Sequence, residues 1–241
     1  MAGPIHSIRA RSAAPAALAA LDAEIAACRA CPRLVAWREE VARVRVARFA
    51  AETYWGRPVP GFGDPAARIL VVGLAPAAHG GNRTGRVFTG DRSGDVLFAA
   101  MHRAGLARLA TSTGRDDGQA LAGCRVAAAV RCAPPANRPT PGERDRCLPY
   151  LVREMAALPD LRVIVALGAF GWDAALRAAA GLGHACLSRP RFAHAGEARV
   201  GPWTLLGCYH PSQQNTFTGR LTPAMLDAVL ARARDLAEGE A

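Results

Sequence analysis

The stretch ARILVVGLAPAAH (67–79) decides the fold of this chain. It opens with a short apolar run that ends at Gly73, a pattern typical of a buried strand in a parallel sheet. Three later runs are of the same kind: CRVAAAV (124–130), LRVIVALG (161–168) and WTLLGCY (203–209). Helical patterns lie between and after them, over residues 94–104, 142–157, 169–180 and 222–237. Strands that alternate with helices predict an α/β fold, in which helices cover both faces of a mostly parallel sheet.

The loops that follow the predicted strands carry the least ordinary residues of the chain. They begin after Gly73, Val130 and Tyr209. In open α/β sheets the ligand site lies at the carboxyl ends of the strands, so we expect these loops to converge on one site. A run of polar residues starts at His210, directly after a strand. Its position favours a functional role for this histidine over that of an ordinary turn residue.

The loop after the first strand is rich in glycine, which allows a ligand to approach the backbone closely. It reads GLAPAAHGGNRTGRVFTGDRSGDVL (73–97) and contains neither G-x-G-x-x-G nor G-x-x-x-x-G-K-[ST]. These are the patterns that bind dinucleotides and nucleoside triphosphates. Binding of a nucleoside triphosphate is therefore not expected.

The N-terminal part of the chain is predicted to be helical and then irregular. Residues 16–40 are expected to form one helix, because apolar residues recur at spacings of three to four: Leu18, Leu21, Ile25 and Cys28. The segment TYWGRPVPGFGDP (53–65) is dense in Gly and Pro, which predicts an irregular arm. We expect residues 1–15 to be a disordered tail and residues 16–241 to form a single domain.

The chain is strongly basic. Its 241 residues include 30 Lys or Arg against 20 Asp or Glu, a net charge of +10, and every one of the 30 is arginine. A GC-rich coding sequence explains arginine in place of lysine, but it does not explain the surplus of basic over acidic residues. Such a surplus favours a polyanionic partner, because contacts with phosphates release condensed counterions.

The sequence also bears on where the protein works. No apolar run approaches the ~20 residues that span a bilayer. The alanine-rich start carries Asp22 and Glu24 and lacks a strong apolar core, so no signal peptide is predicted. We expect an intracellular, cytoplasmic protein that is a monomer and has no membrane partner.

Seven cysteines divide into two groups. The odd number argues against a disulfide framework in an intracellular chain. Cys28 and Cys31 form a C-x2-C pair, while Cys132 and Cys147 bracket the turn-rich segment between them, so a metal could tie this loop to the N-terminal helix. Four thiolates suit zinc and an iron–sulfur cluster equally well. The remaining three lie in or near apolar runs and are predicted to be small buried residues: Cys124, Cys186 and Cys208.

Four long motifs resemble those of the family 5, or type B, uracil-DNA glycosylases: GLAPAAH (73–79), NRTGRVFTGD (82–91), VRCAPPANRPTP (130–141) and HPSQQNTFTGRLT (210–222). The segments CPRLVAWREE (31–40) and RPVPGFGDP (57–65) match that family as well, so the resemblance covers about residues 30–225. It implies the three-layer α/β/α fold of the uracil-glycosylase superfamily. It also implies a four-iron, four-sulfur cluster, with the family's ligand pattern at Cys28, Cys31, Cys132 and Cys147, which decides between iron and zinc.

The resemblance further implies an activity. Members of the family remove uracil and other deaminated or damaged bases from DNA by cleaving the N-glycosidic bond, and leave an abasic site. A base inside a duplex is inaccessible, so the nucleotide must be flipped into a pocket. Phe88 matches the aromatic on which the flipped base stacks, and His210 would stabilise negative charge on the departing base.

The first motif of this chain departs from the pattern of other glycosylase families at the residue that activates water. Well-known relatives carry Asp or Glu in the first motif, where this chain has Ala75 beside the base. The role falls by resemblance to Asp91, whose alternative interpretation is a helix N-cap. Asn137 matches an asparagine that assists with some bases, and a turn-forming role is its alternative. Asn82 and His79 are further candidates for the base-binding pocket.

DNA contacts are expected from the loop after the last strand. Arg220 supplies charge there, and hydrogen bonds come from Ser212, Gln213, Gln214 and Asn215. Contacts of this kind position an enzyme on DNA without specifying sequence. Because the reaction is a hydrolysis, the cluster is expected to have a structural role.

Three other functions are weighed against this one. The first is a relative of the same fold that binds uracil-containing DNA with weak or no turnover; such relatives carry a basic insertion ending in histidine, which is absent here. The second is a zinc-containing nucleic-acid binding module, which explains only the charge and the cysteines. The third is an iron–sulfur redox protein, which leaves the motif at residues 210–222 unexplained.

Overall fold

A computed structural model of the protein describes residues 4–186 and 188–239. Within these residues it contains six strands: β1 (Phe62–Gly63), β2 (Ile69–Gly73), β3 (Cys124–Ala128), β4 (Val163–Leu167), β5 (Glu197–Val200) and β6 (Trp203–Cys208). Their order across the sheet is β1-β3-β2-β4-β6-β5. The four inner strands are parallel, and the edge strands β1 and β5 run antiparallel to their neighbours. The prediction of a mostly parallel sheet is confirmed.

The predicted helices are present close to their expected bounds. The α-helices of the described residues are α1 (Pro4–Ala27), α2 (Pro32–Val44), α3 (Gly81–Thr84), α4 (Arg92–Arg103), α5 (Pro141–Ala156), α6 (Gly168–Gly181), α7 (Gln213–Phe217) and α8 (Pro223–Glu238). Several begin at capping residues. Thr140 forms a capping box with Glu143 at the start of α5, and the Thr222 side chain accepts a hydrogen bond from Met225 N at the start of α8.

Alternate residues of the inner strands face two different cores, which makes the fold three-layered. On β2, Ile69 and Val71 pack in the cluster that includes α4 and α8, while Leu70 and Val72 pack in the cluster that includes α5 and α6. Because side chains alternate across a strand, a strand buried on both faces is apolar throughout. The α/β/α fold that the resemblance implied is confirmed.

The N-terminal prediction is wrong in two respects. The single helix expected over residues 16–40 is interrupted between α1 and α2. Cys31 precedes Pro32, and a residue before proline is pushed out of the helical region; its φ of −117° and ψ of 93° are extended. The tail expected at residues 1–15 is helical from Pro4 onward, and residues 1–3 lie outside the described residues.

The edge strands β1 and β5 were not predicted from the sequence. Strand β1 has two residues and β5 has four, of which Glu197 and Arg199 are exposed. Short edge strands with charged residues carry little hydrophobic periodicity. Along the described part of the chain, no helix is long and apolar enough to cross a bilayer.

Candidate active site

A cleft of about 620 Å³ opens at the carboxyl ends of the inner strands. This size is typical of small-molecule sites. Its walls come from the three loops predicted to converge: Leu74, Ala75, Ala77, Phe88, Asp91, Arg92, Ser93, Ala136, Asn137, Arg138, His210, Ser212, Gln213 and Gln214. The structure therefore brings together eight of the site residues named from the sequence: Ala75, Phe88, Asp91, Asn137, His210, Ser212, Gln213 and Gln214.

Phe88 occupies a strained position in the segment between α3 and α4. Its φ is +52°, in the left-handed region that bulky residues avoid. The ring lies against Gly73, where an added Cβ would stand only 2.4 Å from Phe88 Cζ. Gly73 is therefore needed for the close approach of the ring. Strain of this kind persists only where the surrounding structure holds it, and it is concentrated at functional sites.

His210 faces Phe88 across the cleft. The two ring centroids are 5.7 Å apart and the planes are inclined by 35°. Burial lowers the pKa of His210 to about 4, so the imidazole is neutral at physiological pH. A neutral imidazole still carries one N–H and can donate a hydrogen bond.

Asp91 has two roles in the structure at once. It is the N-cap of α4, and its Oδ1 accepts a hydrogen bond of 3.0 Å from Gly94 N. The same side chain lines the cleft. Burial raises the pKa of the carboxyl group, although backbone hydrogen bonds from Gly94 and Ser93 oppose the shift. A raised pKa moves a carboxylate towards the range in which it is an effective general base.

Asn137 reaches the cleft from the loop after β3, again through a strained backbone. Asn137 and its neighbour Ala136 have φ values of +55° and +52°. Asparagine tolerates this conformation better than most residues. The turn-forming and base-contacting interpretations are thus compatible, because the backbone turn at Ala136 and Asn137 brings the Asn137 side chain to the cleft wall.

Two base-binding candidates lie elsewhere. Among the described residues, Asn82 is not part of the cleft wall; it is fully buried, and its Nδ2 donates a hydrogen bond of 3.1 Å to Arg38 O. His79 Nδ1 is 3.1 Å from the Tyr54 hydroxyl. Both side chains therefore connect the glycine-rich loop to other segments, Asn82 to α2 and His79 to the arm that contains Tyr54.

The loop after β6 uses its polar residues in different ways. Ser212, Gln213 and Gln214 line the cleft, but Asn215 turns back, and its Nδ2 donates a hydrogen bond of 2.8 Å to His210 O. Arg220 lies over the Tyr209 ring, with its guanidinium carbon 4.7 Å from the centroid. Asn215 therefore supports the position of His210 instead of projecting into the cleft.

Sequence reasoning missed several residues of the cleft wall. They include Arg92, Ser93, Ala136 and Arg138. Each lies within two residues of Asp91 or Asn137 in the sequence. Arg92 also lies over the ring of Phe217, which is 66% exposed. The signal was present in the motifs TGDRSG and ANRP, where arginine follows the named Asp91 and Asn137 directly.

A second cavity holds the four cysteines predicted as metal ligands. It lies between the α1–α2 connection, the loop after β3 and α5, and its wall consists of Cys28, Ala30, Cys31, Leu34, Arg38, Pro58, Arg131, Cys132, Arg146, Cys147 and Tyr150. The other cysteines are not in this wall: Cys124 and Cys208 are buried in strands, and Cys186 lies beyond α6. Within the described part of the chain, no three His, Cys, Asp or Glu side chains are grouped so as to hold a single metal ion. The four thiols surround a shared space instead.

The surroundings of the thiols fit an anionic group in this cavity. Arg38 Nη1 donates a hydrogen bond of 2.9 Å to Cys132 Sγ, and Arg131 N donates one of 3.2 Å to Cys147 Sγ. Burial raises the pKa of Cys132 to about 12, with Arg38 opposing the shift, and that of Cys147 to about 11. Thiols with raised pKa values stay protonated unless a bound metal displaces their protons, and the resulting thiolates carry the negative charge that Arg38 and the Arg131 N–H can stabilise.

Two buried arginines at this cavity have N–H groups without a hydrogen-bond partner among the described residues. These groups are Arg38 Nε and Arg131 Nε and Nη1. Arg131 is also paired with the fully buried Glu154, which in turn accepts a hydrogen bond of 2.6 Å from Arg125 Nε. Buried charged donors without partners are rare, and they indicate a group that the side chains alone do not supply.

Comparison with known proteins shows which family the chain is similar to. The model of the uracil DNA glycosylase superfamily matches residues 60–234. The chain is 57% identical over 219 residues to a type-5 uracil-DNA glycosylase of Mycobacterium tuberculosis, which covers 90% of this chain and 81% of that protein. It is 51% identical to the type-5 uracil-DNA glycosylase of Thermus thermophilus, over 88% of this chain and 95% of that protein.

Proposed function

Because the chain belongs to the uracil DNA glycosylase superfamily, and within it to the type-5 enzymes, we propose that it excises uracil from DNA in base-excision repair. The reaction hydrolyses the N-glycosidic bond and leaves an abasic site. The observation that carries the proposal is the cleft, where Phe88, Asp91 and His210 lie together at the carboxyl ends of the strands.

The cleft is suited to a base flipped out of the helix. The ring of Phe88 offers a stacking face, and His210 is 5.7 Å from it, centroid to centroid. As the bond between the base nitrogen and C1′ breaks, its electron pair passes to the base, and negative charge develops on the base carbonyl. The neutral His210 imidazole donates a hydrogen bond to that oxygen, a stabilisation that grows in the transition state.

Water attack is assigned to Asp91. Ala75 in the cleft wall has no proton acceptor, whereas Asp91 lines the same cleft. Its carboxylate orients a water molecule and accepts a proton as the water oxygen adds to C1′. The positive charge that develops on the sugar is stabilised by the DNA phosphates, so the substrate shares in the catalysis.

The range of bases extends beyond uracil in this proposal. Asn137 carries both a donor and an acceptor into the cleft, so it can bond to more than one pattern of base edge. Hypoxanthine and xanthine present carbonyl oxygens on which negative charge can likewise develop. The net charge of +10 supports DNA as the partner.

The four thiols of the second cavity are proposed to hold a four-iron, four-sulfur cluster. Cys28 and Cys31 lie between α1 and α2, Cys132 lies in the loop after β3, and Cys147 lies on α5. When bound, the cluster supplies iron–thiolate bonds that tie these segments together, and this binding energy contributes to folding. Arg38 and the backbone N–H of Arg131 hold the sulfur atoms of Cys132 and Cys147 in place.

The proposal is tested with a panel of oligonucleotides, each containing one modified base, followed by alkaline cleavage at abasic sites. Strand cleavage at uracil by the wild type and not by a His210→Ala, Asp91→Ala double variant supports it. Tight binding to uracil DNA without cleavage would identify a binding relative instead. Visible absorption of the purified protein separates an iron–sulfur cluster from Zn²⁺, whose filled d shell gives no such band.

A further inference from the structure

A histidine outside all four motifs holds the residue that precedes His210. His194 lies in the loop before β5, and its Nδ1 accepts a hydrogen bond of 3.2 Å from Tyr209 N. Its ring is also stacked on that of Tyr209, with centroids 4.9 Å apart and planes inclined by 18°. One side chain therefore contacts both the backbone and the ring of Tyr209.

This arrangement fixes the tautomer of His194. The Nδ1 atom can accept a hydrogen bond only if it carries no proton, so the ring must be neutral and protonated at Nε2. Burial lowers the pKa of His194, which favours the neutral form that the hydrogen bond requires.

The loop that carries His194 is hydrogen-bonded to β6 three residues before His210. Ala195 N donates a hydrogen bond of 2.8 Å to Gly207 O, and Gly207 N donates one of 2.9 Å to Gly196 O. A Cβ on Gly207 would stand only 2.2 Å from Ala193 O, so the loop reaches the strand only because residue 207 is glycine. Ala195 has a φ of +55°, which is strained for alanine.

His210 is thus held from both sides along the chain. On one side, His194 fixes the backbone N–H of Tyr209. On the other, Asn215 donates its hydrogen bond to the carbonyl of His210 itself. The Tyr209 ring is further contacted by Arg220 and by Phe192, whose ring centroid is 6.1 Å away.

We propose that His194 is a positioning residue for base excision: by accepting the Tyr209 N–H and stacking on the Tyr209 ring, it orients the His210 imidazole in the cleft. This inference rests on the proposed function, in which His210 donates to the departing base. His194 itself contacts neither the base nor the water. Small displacements of a catalytic group can slow a reaction by about 100-fold, which sets the scale of the effect.

Three substitutions separate the two contacts of His194. His194→Asn places an amide oxygen near the position of Nδ1 and keeps the hydrogen-bond acceptor. His194→Phe keeps an aromatic ring on Tyr209 and removes the acceptor. His194→Ala removes both. Each variant is compared with the wild type in single-turnover excision of uracil at saturating enzyme, and in affinity for DNA with an uncleavable uracil analogue.

We expect His194→Phe to slow excision by about 10- to 100-fold while DNA affinity changes by less than about twofold, and His194→Asn to recover most of the rate. A wild-type rate in His194→Phe overturns the proposal. So does an equal loss of rate in the Asn and Phe variants, because a merely structural role would not be rescued by an acceptor.

A second measurement is independent of activity. The ¹⁵N and ¹H resonances of the His210 ring in the free protein should shift in His194→Phe and return towards the wild-type values in His194→Asn. If the ring resonances are unchanged in His194→Phe, the inference fails even though the enzyme excises uracil. If the wild type does not excise uracil but the ring resonances respond as expected, the proposed function fails and the positioning role stands.

Discussion

One oxygen of Asp91 accepts a hydrogen bond of 3.0 Å from Gly94 N, and the other lies so close to Gly80 that a Cβ there would stand 2.2 Å from it. The carboxylate is therefore held between the start of α4 and the glycine-rich loop. A helix cap and a cleft-lining carboxylate were alternative interpretations of the sequence. In the structure the cap is what fixes the carboxylate at the cleft, so the two interpretations describe one arrangement.

Substitution of Asp91 can separate its two roles. Asp91→Asn keeps an oxygen that accepts the Gly94 N–H but cannot accept a proton from water, whereas Asp91→Ala loses both. We expect both variants to excise uracil about 10²- to 10⁴-fold more slowly. Only Asp91→Ala should also lose stability, by about 1 kcal/mol, because the cap is removed.

Single-turnover rates and urea unfolding of the same preparations provide these values. If Asp91→Asn excises uracil at the wild-type rate, Asp91 acts as a cap alone. The search for the residue that activates water would then move to Asn137.

Acid should destabilise the protein through His210. The pKa of His210 is about 4 in the folded protein and about 6.5 in the unfolded chain. Between these two pH values the unfolded chain therefore binds more protons than the native state. Stability is then fully present above pH 6.5 and is lost as the pH falls towards 4, by up to about 3 kcal/mol. Urea unfolding at pH 7 and pH 4.5 measures the loss.

The His210→Gln variant is the control for this pH dependence. It should lose less stability over the same interval, because glutamine does not titrate. An identical loss in the variant would assign the acid sensitivity to other groups.

Gly73→Ala should displace the stacking ring. The new Cβ would overlap Phe88 Cζ at 2.4 Å, and the ring sits on a strained backbone that leaves it few alternatives. Overpacking of this kind costs about 1–3 kcal/mol of stability, and we expect a slower excision rate as well. Gly114→Ala is the matched control, since nothing lies within 4 Å of its Cβ. Equal rates in the two variants would contradict the stacking role of Phe88.

Two sets of cysteine substitutions should differ in colour. Cys132→Ala and Cys147→Ala remove thiols from the second cavity, and the purified proteins should lose visible absorption and solubility. Cys124→Ala and Cys208→Ala remove thiols of similar burial from the strands, and their absorption should be unchanged. A colourless Cys208 variant beside a coloured Cys147 variant would show that the set of ligands is wrong.

The salt dependence of DNA affinity should show whether Arg220 contacts a DNA phosphate. The logarithm of the affinity should fall linearly with the logarithm of salt concentration, and Arg220→Ala should flatten the slope by about one unit. Arg232→Ala removes the same charge on α8, where it pairs with Glu197 at 2.6 Å, and it should leave the slope unchanged. Equal slopes in the wild type and both variants would exclude a phosphate contact by Arg220.

Parts of the candidate site were predictable because they are local. The loops after β2, β3 and β6 each follow a short apolar run, and strand ends in parallel sheets meet at one edge. That rule predicted that these three loops converge, and the family resemblance identified Phe88, Asp91, Asn137 and His210 within them. The same motifs contain Arg92 and Arg138, which directly follow Asp91 and Asn137 and also line the cleft.

Other roles depended on contacts that no local pattern encodes. Asn215 and Asn82 have polar side chains in motif positions, yet one bonds to His210 O and the other to Arg38 O, on a helix 44 residues away in sequence. Where an amide side chain points is decided by which backbone groups are left without partners, and only the assembled fold determines that. His194 is the extreme case, since nothing in its own segment marks it as a neighbour of Tyr209.

The sequence by itself determined the α/β/α architecture, the edge of the sheet at which the site lies and the cysteines of the second cavity, because hydrophobic periodicity and motif spacing are properties of neighbouring residues. Tertiary structure alone decided the edge strands, the strained backbone at Phe88 and the supports of His210. These features arise where segments distant in the chain pack together, and the close packing of a protein interior determines which side chain meets which backbone group.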